Sequence, residues 1–258
     1  MSTDPNAPSN SDTALFLVMP AYNEQDNIEA VVAQWHPVVE KIGGDARLLI
    51  VNDGSKDNTS AILHELEKRT VEGNVLKFPR LIALDKPNSG HGATCLFAYN
   101  KAIELGAKYI FQTDSDGQTD PDEFWKFWEK RADFDFIIGS RGGRQDGFSR
   151  IVVTKVLKLV IWLIFGEKVR DANTPFRLMR AGRLAKILAV IPKDFFLSNV
   201  LVSTIAVKWK ERCVWEPITF KPRQGGVNSI NLRRIFKIGW KAVGDFCAIK
   251  RQLKARSE

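Results

Sequence analysis

The chain has 258 residues, 44% of them hydrophobic, which suffices for one α/β domain with a sizeable core. Lys and Arg number 38 against 30 Asp and Glu, so the formal net charge is +8. The three cysteines, Cys95, Cys213 and Cys247, are odd in number and far apart. This spacing excludes a disulfide-rich secreted scaffold and a cysteine metal cluster, and favours a cytoplasmic protein. Residues 1–12 are polar, which predicts a flexible tail and not a signal peptide.

Four apolar runs, each ending in a polar loop, predict four buried strands in the first half of the chain. They are residues 15–19, 46–51, 81–85 and 108–112, followed by helix-like stretches at about 26–41, 57–69, 92–105 and 121–130. Alternation of strand and helix predicts an α/β fold with a mostly parallel sheet and helices on both faces. Ligands of such sheets bind outside the carboxyl ends of the strands. All four polar loops fall at that edge, so we expect a single site there.

The most informative loop follows the fourth strand and contains Asp114, Ser115 and Asp116, with Gly117 beside them. A turn next to a glycine can direct both carboxylates toward one point. Such a point suits Mg²⁺ or Mn²⁺, because hard cations prefer oxygen ligands. Phosphate oxygens of a substrate usually complete their coordination shell. Asp-x-Asp-Gly is also ordinary turn chemistry, so the loop alone leaves both interpretations open.

Four motifs in order resemble those of family 2 glycosyltransferases with the GT-A fold. They are Pro20-Ala21-Tyr22-Asn23-Glu24, the segment from Val51 through Asp53-Gly54-Ser55 to Asp57 and Thr59, Asn88 with Gly90, Gly92 and Ala93, and Asp114-Ser115-Asp116. Within that family the chain is similar to the polyprenyl-phosphate (dolichyl-phosphate) sugar synthases. The further motifs are Gly139-Ser140-Arg141, Ser149-Arg150, Asp171 with Phe176-Arg177-Leu178, and Pro217-Ile218 with Phe220 and Arg223. The resemblance covers about residues 14–230.

The resemblance implies a nucleotide-sugar donor, a UDP- or GDP-sugar, bound at the edge of the sheet. The residues expected to hold it are Pro20, Tyr22, Glu24, Asp53, Asn88, Gly90, Asp114 and Ser115. Asp53 is expected to accept from a base N–H, and Gly90 and Gly92 to let the backbone approach the nucleotide. For the metal, Asp116 is expected as the direct ligand and Asp114 as a contact to the nucleoside or to a metal-bound water. Both are counted as catalytic, with Mg²⁺ or Mn²⁺ as cofactor.

The acceptor is expected to be polyprenyl phosphate or another lipid-linked molecule. Many relatives that use a sugar hydroxyl carry a Glu-Asp pair, and residues 193–199 of this chain lack it. A lipid phosphate is already anionic and needs no general base. The candidate phosphate-binding residues are Arg141, Arg150, Arg177 and Arg223, because Arg forks match phosphate bidentately. Arg177 is also counted as catalytic, and Asp171 is the reserve base, expected to orient Arg177 or the acceptor loop.

One departure keeps a second acceptor open. The synthases place Lys directly after the Ser of the Arg-x-x-Gly-x-Ser motif, but this chain has one extra residue after Arg223 and has Ile230 after Ser229. Either Arg233 or Arg234 replaces that lysine, or the acceptor is a hydroxyl of a lipid-linked or surface-polysaccharide saccharide. A non-catalytic nucleotide-sugar-binding membrane protein is a further alternative, and the intact Asp114 and Asp116 argue against it.

The positive charge is concentrated at the C-terminal end. Residues 221–258 contain ten Lys and Arg and two acids. Their net charge of +8 equals that of the whole chain. Apolar residues recur there at helical spacing, so the pattern predicts a basic amphipathic helix that either packs on the domain or meets an anionic leaflet. It lacks aromatic residues in a stacking arrangement, so we expect no nucleic acid partner.

A second segment, Ile151 to Phe165, is too short and too interrupted by lysines to span a bilayer. It predicts either an in-plane helix whose Trp162 and Phe165 enter the headgroup boundary or a helix buried against the sheet. The sequence thus divides into a tail (1–12), a catalytic domain (13–230) and a basic helix (231–258). We expect a peripheral protein on the cytoplasmic face of a membrane.

Overall fold

The computed structural model describes residues 14–71, 75–141, 148–221 and 243–251, and of residues 148–153 the backbone alone. Its strands, in chain order, are β1 Leu15–Ala21, β2 Arg47–Asp53, β3 Thr70–Val71, β4 Val75–Leu76, β5 Leu81–Lys86, β6 Tyr109–Thr113, β7 Phe136–Arg141, β8 Phe176–Arg180 and β9 Cys213–Ile218. Seven of them form one sheet in the order β5-β2-β1-β6-β8-β7-β9, while β3 and β4 pair separately. The four strands predicted from the sequence are β1, β2, β5 and β6, and they lie side by side.

The predicted parallel arrangement is confirmed for this half of the sheet. β1 pairs in parallel with β2 and β6, and β2 pairs in parallel with β5. β8 runs antiparallel to both of its neighbours, β6 and β7, so the sheet is mostly parallel. The carboxyl ends of β5, β2, β1 and β6 therefore meet at one edge, where their loops come together.

Seven α-helices occur in the described part of the chain. They are α1 Ile28–Ile42, α2 Thr59–Lys68, α3 His91–Glu104, α4 Phe124–Glu129, α5 Phe148–Phe165, α6 Ala181–Leu188 and α7 Ser198–Lys208. The first four match the predicted helices with ends displaced by one to three residues, and α4 is extended on both sides by short 3-10 turns. Every residue of β1 is buried, because hydrophobic clusters cover both faces of the sheet.

α5 contains the predicted helix of the 151–165 segment. One side of it is buried and the other is exposed. Ile161 and Phe165 are buried, whereas Val156, Leu159, Trp162 and Leu163 are exposed by about half or more of their surface. No helix in the described residues is long and apolar enough to cross a membrane.

The C-terminal segment 243–251 is helical, as predicted, and its Phe246 and Ile249 are buried. The Phe246 ring lies 5.7 Å from Phe165 and 5.9 Å from Phe195. The expectation that Phe165 enters a headgroup boundary is therefore wrong, since this ring belongs to the core. The rest of the predicted 231–258 helix and the 1–12 tail lie outside the described residues.

Gly92, in the first turn of α3, allows a close approach of two chain segments. A Cβ atom at this position would lie 2.2 Å from the carbonyl oxygen of Phe196. Gly182, in the first turn of α6, has open space around it.

We expect Gly92→Ala to lower the free energy of unfolding by about 1–3 kcal/mol through overpacking. Gly182→Ala, the matched control, should leave it unchanged or raise it by up to about 1 kcal/mol. Urea denaturation measures both, and equal effects would contradict the packing argument.

Candidate active site

A cleft of about 500 Å³ opens at the carboxyl ends of the parallel strands. The residues that line it are Pro20, Ala21, Tyr22, Glu24, Asp53, Asn88, Gly90, His91, Thr94, Asp114, Ser115 and Asp116. All eight residues predicted to hold the donor are among them, as is Asp116. They come from the ends of β1 and β2, from the loops after β1, β5 and β6, and from the start of α3. The topology of the sheet thus brings together residues that are up to 96 positions apart.

Asp53 ends β2 and holds the loop that precedes α3. Its Oδ1 accepts from Lys86 Nζ at 2.5 Å and from the backbone N–H of Ser89 at 2.9 Å, and its Oδ2 accepts from the N–H of Gly90 at 2.8 Å. Burial by itself would raise the pKa of Asp53, but hydrogen bonds from Lys86, from the N–H of Ser89 and from the Thr94 side chain outweigh it and the pKa is lowered. The carboxylate is therefore ionised and fixed. Its expected contact with a nucleotide base stays a prediction.

Two glycines shape the loops after β2 and β5. Gly90 has φ +88°, a conformation that residues with a Cβ rarely adopt, and open space surrounds it. Gly54 has φ +62°, and a Cβ there would lie 2.7 Å from the backbone nitrogen of Asn88. Gly92 was expected to let the backbone approach the nucleotide. It is instead buried beneath Phe196 and is not among the residues that line the cleft.

Several motif residues brace the loops and do not line the cleft. The N–H of Asn23 donates to Ser55 Oγ at 2.9 Å, and the N–H of Lys56 donates back to Asn23 Oδ1 at 2.9 Å. The N–H of Glu24 donates to Thr59 Oγ1 at 2.9 Å. These bonds fasten the loop after β1 to the loop after β2, and so hold Tyr22 and Glu24 at the wall of the cleft.

The acidic pair lies at the end of β6. Both Asp114 and Asp116 line the cleft, while Ser115 between them is buried and donates from Oγ to the carbonyl of Pro20 at 2.9 Å. Asp114 Oδ1 lies 3.0 Å from His91 Nε2 and accepts from Gln112 Nε2 at 3.2 Å. Ser115 thus anchors the turn to the neighbouring strand, and the two carboxylates are presented to the same space.

The donor atoms present fit a divalent cation that arrives with a diphosphate. Within the described ranges, no group of three or more His, Cys, Asp or Glu side chains could hold a metal ion by itself. Sites for Mg²⁺ commonly use one or two carboxylates and take the remaining oxygens from substrate phosphates and water. Asp114 and Asp116 supply two such carboxylates at the cleft.

Of the residues predicted for the acceptor, those whose side chains the structure describes, Arg141, Asp171 and Arg177, do not line the cleft. Arg141 and Asp171 pair with each other, with Arg141 Nε 3.1 Å from Asp171 Oδ2 and Nη2 3.0 Å from Oδ1. The side chain of Arg150 is outside what the structure describes, and Arg223 lies outside the described residues. The acceptor roles of these residues and of Asp171 as reserve base stay predictions.

Arg177 is buried in the core. It is fully inaccessible to solvent, and its guanidinium donates to the carbonyls of Ala172, Thr174 and Asn199. Burial lowers the pKa of Arg177, and these carbonyls replace water as acceptors for its N–H groups. The predicted contact between Arg177 and a phosphate is not supported by this placement, because its donors are already used and it does not line the cleft.

Some residues that support the cleft from beneath are not predicted from the sequence. Lys86, which pairs with Asp53, lies two positions before the third motif and could have been found there. Gln112 and Asn199 are hydrogen-bonded to each other at 3.1 Å across 87 positions of the chain, and no local pattern indicates that contact.

Comparison with known proteins agrees with this geometry. The family model described as "Glycosyl transferase family 2" matches residues 16–188, which include every residue that lines the cleft. The chain belongs to this family. The predicted glycosyltransferase is thereby confirmed.

Two curated relatives align over most of their own length. The chain is 30% identical over 238 residues to the UDP-N-acetylglucosamine–dolichyl-phosphate N-acetylglucosaminyltransferase of Methanococcus voltae, covering 88% of this chain and 87% of that protein. It is 26% identical over 234 residues to the polyprenol monophosphomannose synthase of Mycolicibacterium smegmatis, covering 86% of this chain and 84% of that protein. Both names describe polyprenyl-phosphate sugar transferases, so the resemblance to this group is confirmed.

Solved structures confirm the fold. Glucosyl-3-phosphoglycerate synthase from Mycobacterium tuberculosis, in complex with Mn²⁺, UDP and phosphoglyceric acid, superposes with a TM-score of 0.64 at 13% identity. The match covers 93% of this chain and 80% of that one. At this identity the likeness shows the GT-A-like α/β fold alone, and the Mn²⁺ belongs to that protein.

The lowered pKa of Asp53 predicts how the stability of the cleft depends on pH. A carboxylate whose pKa is lower in the folded state stabilises that state above its unfolded pKa, about 4, and loses the effect as the pH falls through the folded value. We therefore expect Asp53→Asn to reduce the free energy of unfolding most at pH 5–7, and the difference from wild type to shrink as the pH falls below about 4. Denaturation at a series of pH values measures this difference, and a constant difference down to pH 2 would contradict it.

Proposed function

We propose that this protein is an inverting, metal-dependent glycosyltransferase that moves a sugar from a nucleotide-sugar donor to polyprenyl phosphate at a membrane surface. The observation that carries the proposal is the convergence of Asp114, Asp116 and the Asp53-held loop in one cleft. The names of the two curated relatives support the acceptor class. Whether the donor carries uracil or guanine, and which sugar it carries, is part of what the assay below identifies.

In the proposed reaction the nucleotide diphosphate leaves as the lipid phosphate attacks the anomeric carbon. A divalent cation, when bound, would neutralise the negative charge that develops on the diphosphate. Asp114 and Asp116 are the residues that would hold it. The Asp53 carboxylate keeps the 88–90 loop in place for the nucleotide. On the donor side, the residues of the chain thus bind and orient the nucleotide sugar and balance the charge of its diphosphate.

A phosphate acceptor fits the distribution of carboxylates. The carboxylates that line the cleft, Glu24, Asp53, Asp114 and Asp116, are all expected on the donor side. Asp171, the reserve base, has both carboxylate oxygens on Arg141. A sugar hydroxyl acceptor would need a positioned general base, whereas a phosphate is already anionic at neutral pH. The hydroxyl acceptor is therefore the second candidate, favoured by Ile230 in the place of the motif lysine.

The exposed side of α5 is the proposed membrane contact. It presents Val156, Leu159, Trp162 and Leu163, with Lys155 and Lys158 exposed alongside. An in-plane helix combines such an apolar stripe with lysines that reach anionic headgroups. Phe165 and Ile161 fix the opposite side of the helix to the core.

The function is tested by transfer of radiolabel from a panel of UDP- and GDP-sugars to undecaprenyl phosphate in detergent, with Mn²⁺ or Mg²⁺. Label in the organic phase from one donor is the expected result, and it identifies the sugar and the base. Donor hydrolysis without lipid label would favour the saccharide-hydroxyl acceptor. Neither activity, with donor binding retained, would favour the non-catalytic alternative.

Removal of one proposed metal ligand should abolish the reaction without unfolding the protein. We expect Asp116→Asn to lower the rate of transfer by about a hundredfold or more, because charge stabilisation at the diphosphate is worth several kcal/mol. Asp122→Asn, an exposed acid outside the cleft, is the matched control and should keep wild-type activity. Metal-dependent turnover at the wild-type rate in Asp116→Asn would remove this residue from the site.

The membrane contact is tested by liposome flotation. We expect Leu163→Glu on α5 to weaken binding to anionic vesicles about tenfold or more, since burying a leucine is worth about 1.5–3 kcal/mol. Leu105→Glu is the control, because Leu105 is about half exposed at the end of α3, outside the α5 stripe. Equal flotation of the two variants would contradict the assignment of α5 as the contact.

A further inference from the structure

Buried polar side chains lie directly behind Asp114. Gln112, near the end of β6, is fully buried, and its Nε2 donates to Asp114 Oδ1 at 3.2 Å. Its Oε1 accepts from Asn199 Nδ2 of α7 at 3.1 Å and lies 3.3 Å from the Tyr99 hydroxyl of α3. Tyr99 OH also lies 2.7 Å from Asn199 Oδ1. One amide group therefore joins a strand and two helices to the carboxylate of the cleft.

The surroundings of Gln112 allow a single orientation of its amide. The Asn199 amide donates to Oε1, and a carboxylate accepts from Nε2. A flipped amide would set its NH₂ group against the NH₂ of Asn199 and its carbonyl oxygen against Asp114. Each contact would then join two donors or two acceptors, which is costly for groups buried away from water. The donor side of Gln112 is therefore fixed toward Asp114.

This arrangement acts on one oxygen of Asp114. Both of its contacts, from Gln112 and from His91, go to Oδ1. Oδ2 receives no hydrogen bond from the part of the chain that the structure describes. Since Asp114 lines the cleft, Oδ2 is left for a bound cation or for a water on it.

The network is held from behind by Arg177. Its Nη1 donates to the backbone carbonyl of Asn199 at 3.0 Å, and Ser203 Oγ donates to the same carbonyl at 2.9 Å. Arg177 Nη2 is bonded to the carbonyls of Thr174 and Ala172 in the segment before β8. The start of α7, which carries Asn199, is thus tied to the sheet by a buried charged group.

We propose that Gln112 is a positioning residue that presents Asp114 to a divalent cation and a nucleotide diphosphate, and that Asn199 and Tyr99 hold Gln112 in the orientation this requires. The inference rests on the proposed function, because it assigns supports to the same metal and donor site. Groups that hydrogen-bond to a metal-binding side chain fix its direction, and their loss typically costs 10- to 100-fold in metal affinity.

The decisive variant is Gln112→Met, which keeps the length of the side chain and removes the amide. The probe is Mn²⁺, titrated calorimetrically in saturating UDP and, in a parallel series, in saturating GDP. We expect the Mn²⁺ dissociation constant to rise about 10- to 100-fold in Gln112→Met. In the transfer assay the variant should recover kcat to within a few-fold at saturating Mn²⁺, because the defect is in metal binding. A residue that only fills the core would not produce this dependence on Mn²⁺ concentration.

Thr204→Val is the matched control. Thr204 is fully buried on α7, and its hydroxyl donates to the Val200 carbonyl at 2.8 Å, so the variant also deletes a buried polar group. Its Mn²⁺ dissociation constant should stay at the wild-type value, while thermal melting without ligand reports the stability of each variant. Tyr99→Phe removes one hydroxyl from the network and is the milder variant, for which we expect a several-fold rise.

The outcomes separate the two proposals. Wild-type Mn²⁺ affinity in folded Gln112→Met would overturn the positioning role. If Gln112→Met does not fold, unchanged affinity in Tyr99→Phe would overturn it. Wild-type protein that binds neither nucleotide with Mn²⁺ would overturn the proposed function and this inference together. Normal wild-type binding with unaffected variants would overturn this inference alone.

Discussion

The ionised carboxylate of Asp53 is the interaction on which the cleft depends. It joins the end of β2 to Lys86 at the end of β5 and to the N–H groups that lead into α3. A buried carboxylate is costly unless it is paired and hydrogen-bonded, and Asp53 has both kinds of partner. Because α3 begins from this loop, the same contact also sets the place of His91, whose Nε2 lies 3.0 Å from Asp114 Oδ1.

The sequence motifs combine two kinds of residue. Tyr22, Glu24, Asp53 and Asp116 line the cleft, whereas Asn23, Ser55, Asp57 and Thr59 fasten one loop to another. The bracing residues are small and polar because a loop at the sheet edge must satisfy its backbone N–H groups without neighbouring strands. The motifs therefore specify how the loops are held together as well as which side chains line the cleft.

This explains how much of the structure the sequence could predict. β1, β2, β5 and β6 and their helices follow from local hydrophobic patterns, and the residues of the cleft follow from the strand ends. Arg177 was expected to bind a phosphate, and Phe165 was expected to enter a headgroup boundary in one of two alternatives; both are buried in the core. A buried arginine needs acceptors for its N–H groups, and for Arg177 these include the carbonyls of Ala172, Thr174 and Asn199. Phe165 is covered by Phe246, about 80 positions away, so neither environment is visible in a short window.

α7 connects the two halves of the molecule. The residues that line the donor cleft lie within the first 116 positions, and the proposed membrane helix α5 comes after them. α7 contributes Asn199 to the support of Asp114 at its beginning, and at its end Lys208 donates to the Phe165 carbonyl, where α5 finishes. The helix proposed to meet the lipid and the side chain that supports the donor site therefore rest on one rigid element. A lipid acceptor suits this construction, because its phosphate must arrive from the membrane side while the donor loops stay in place.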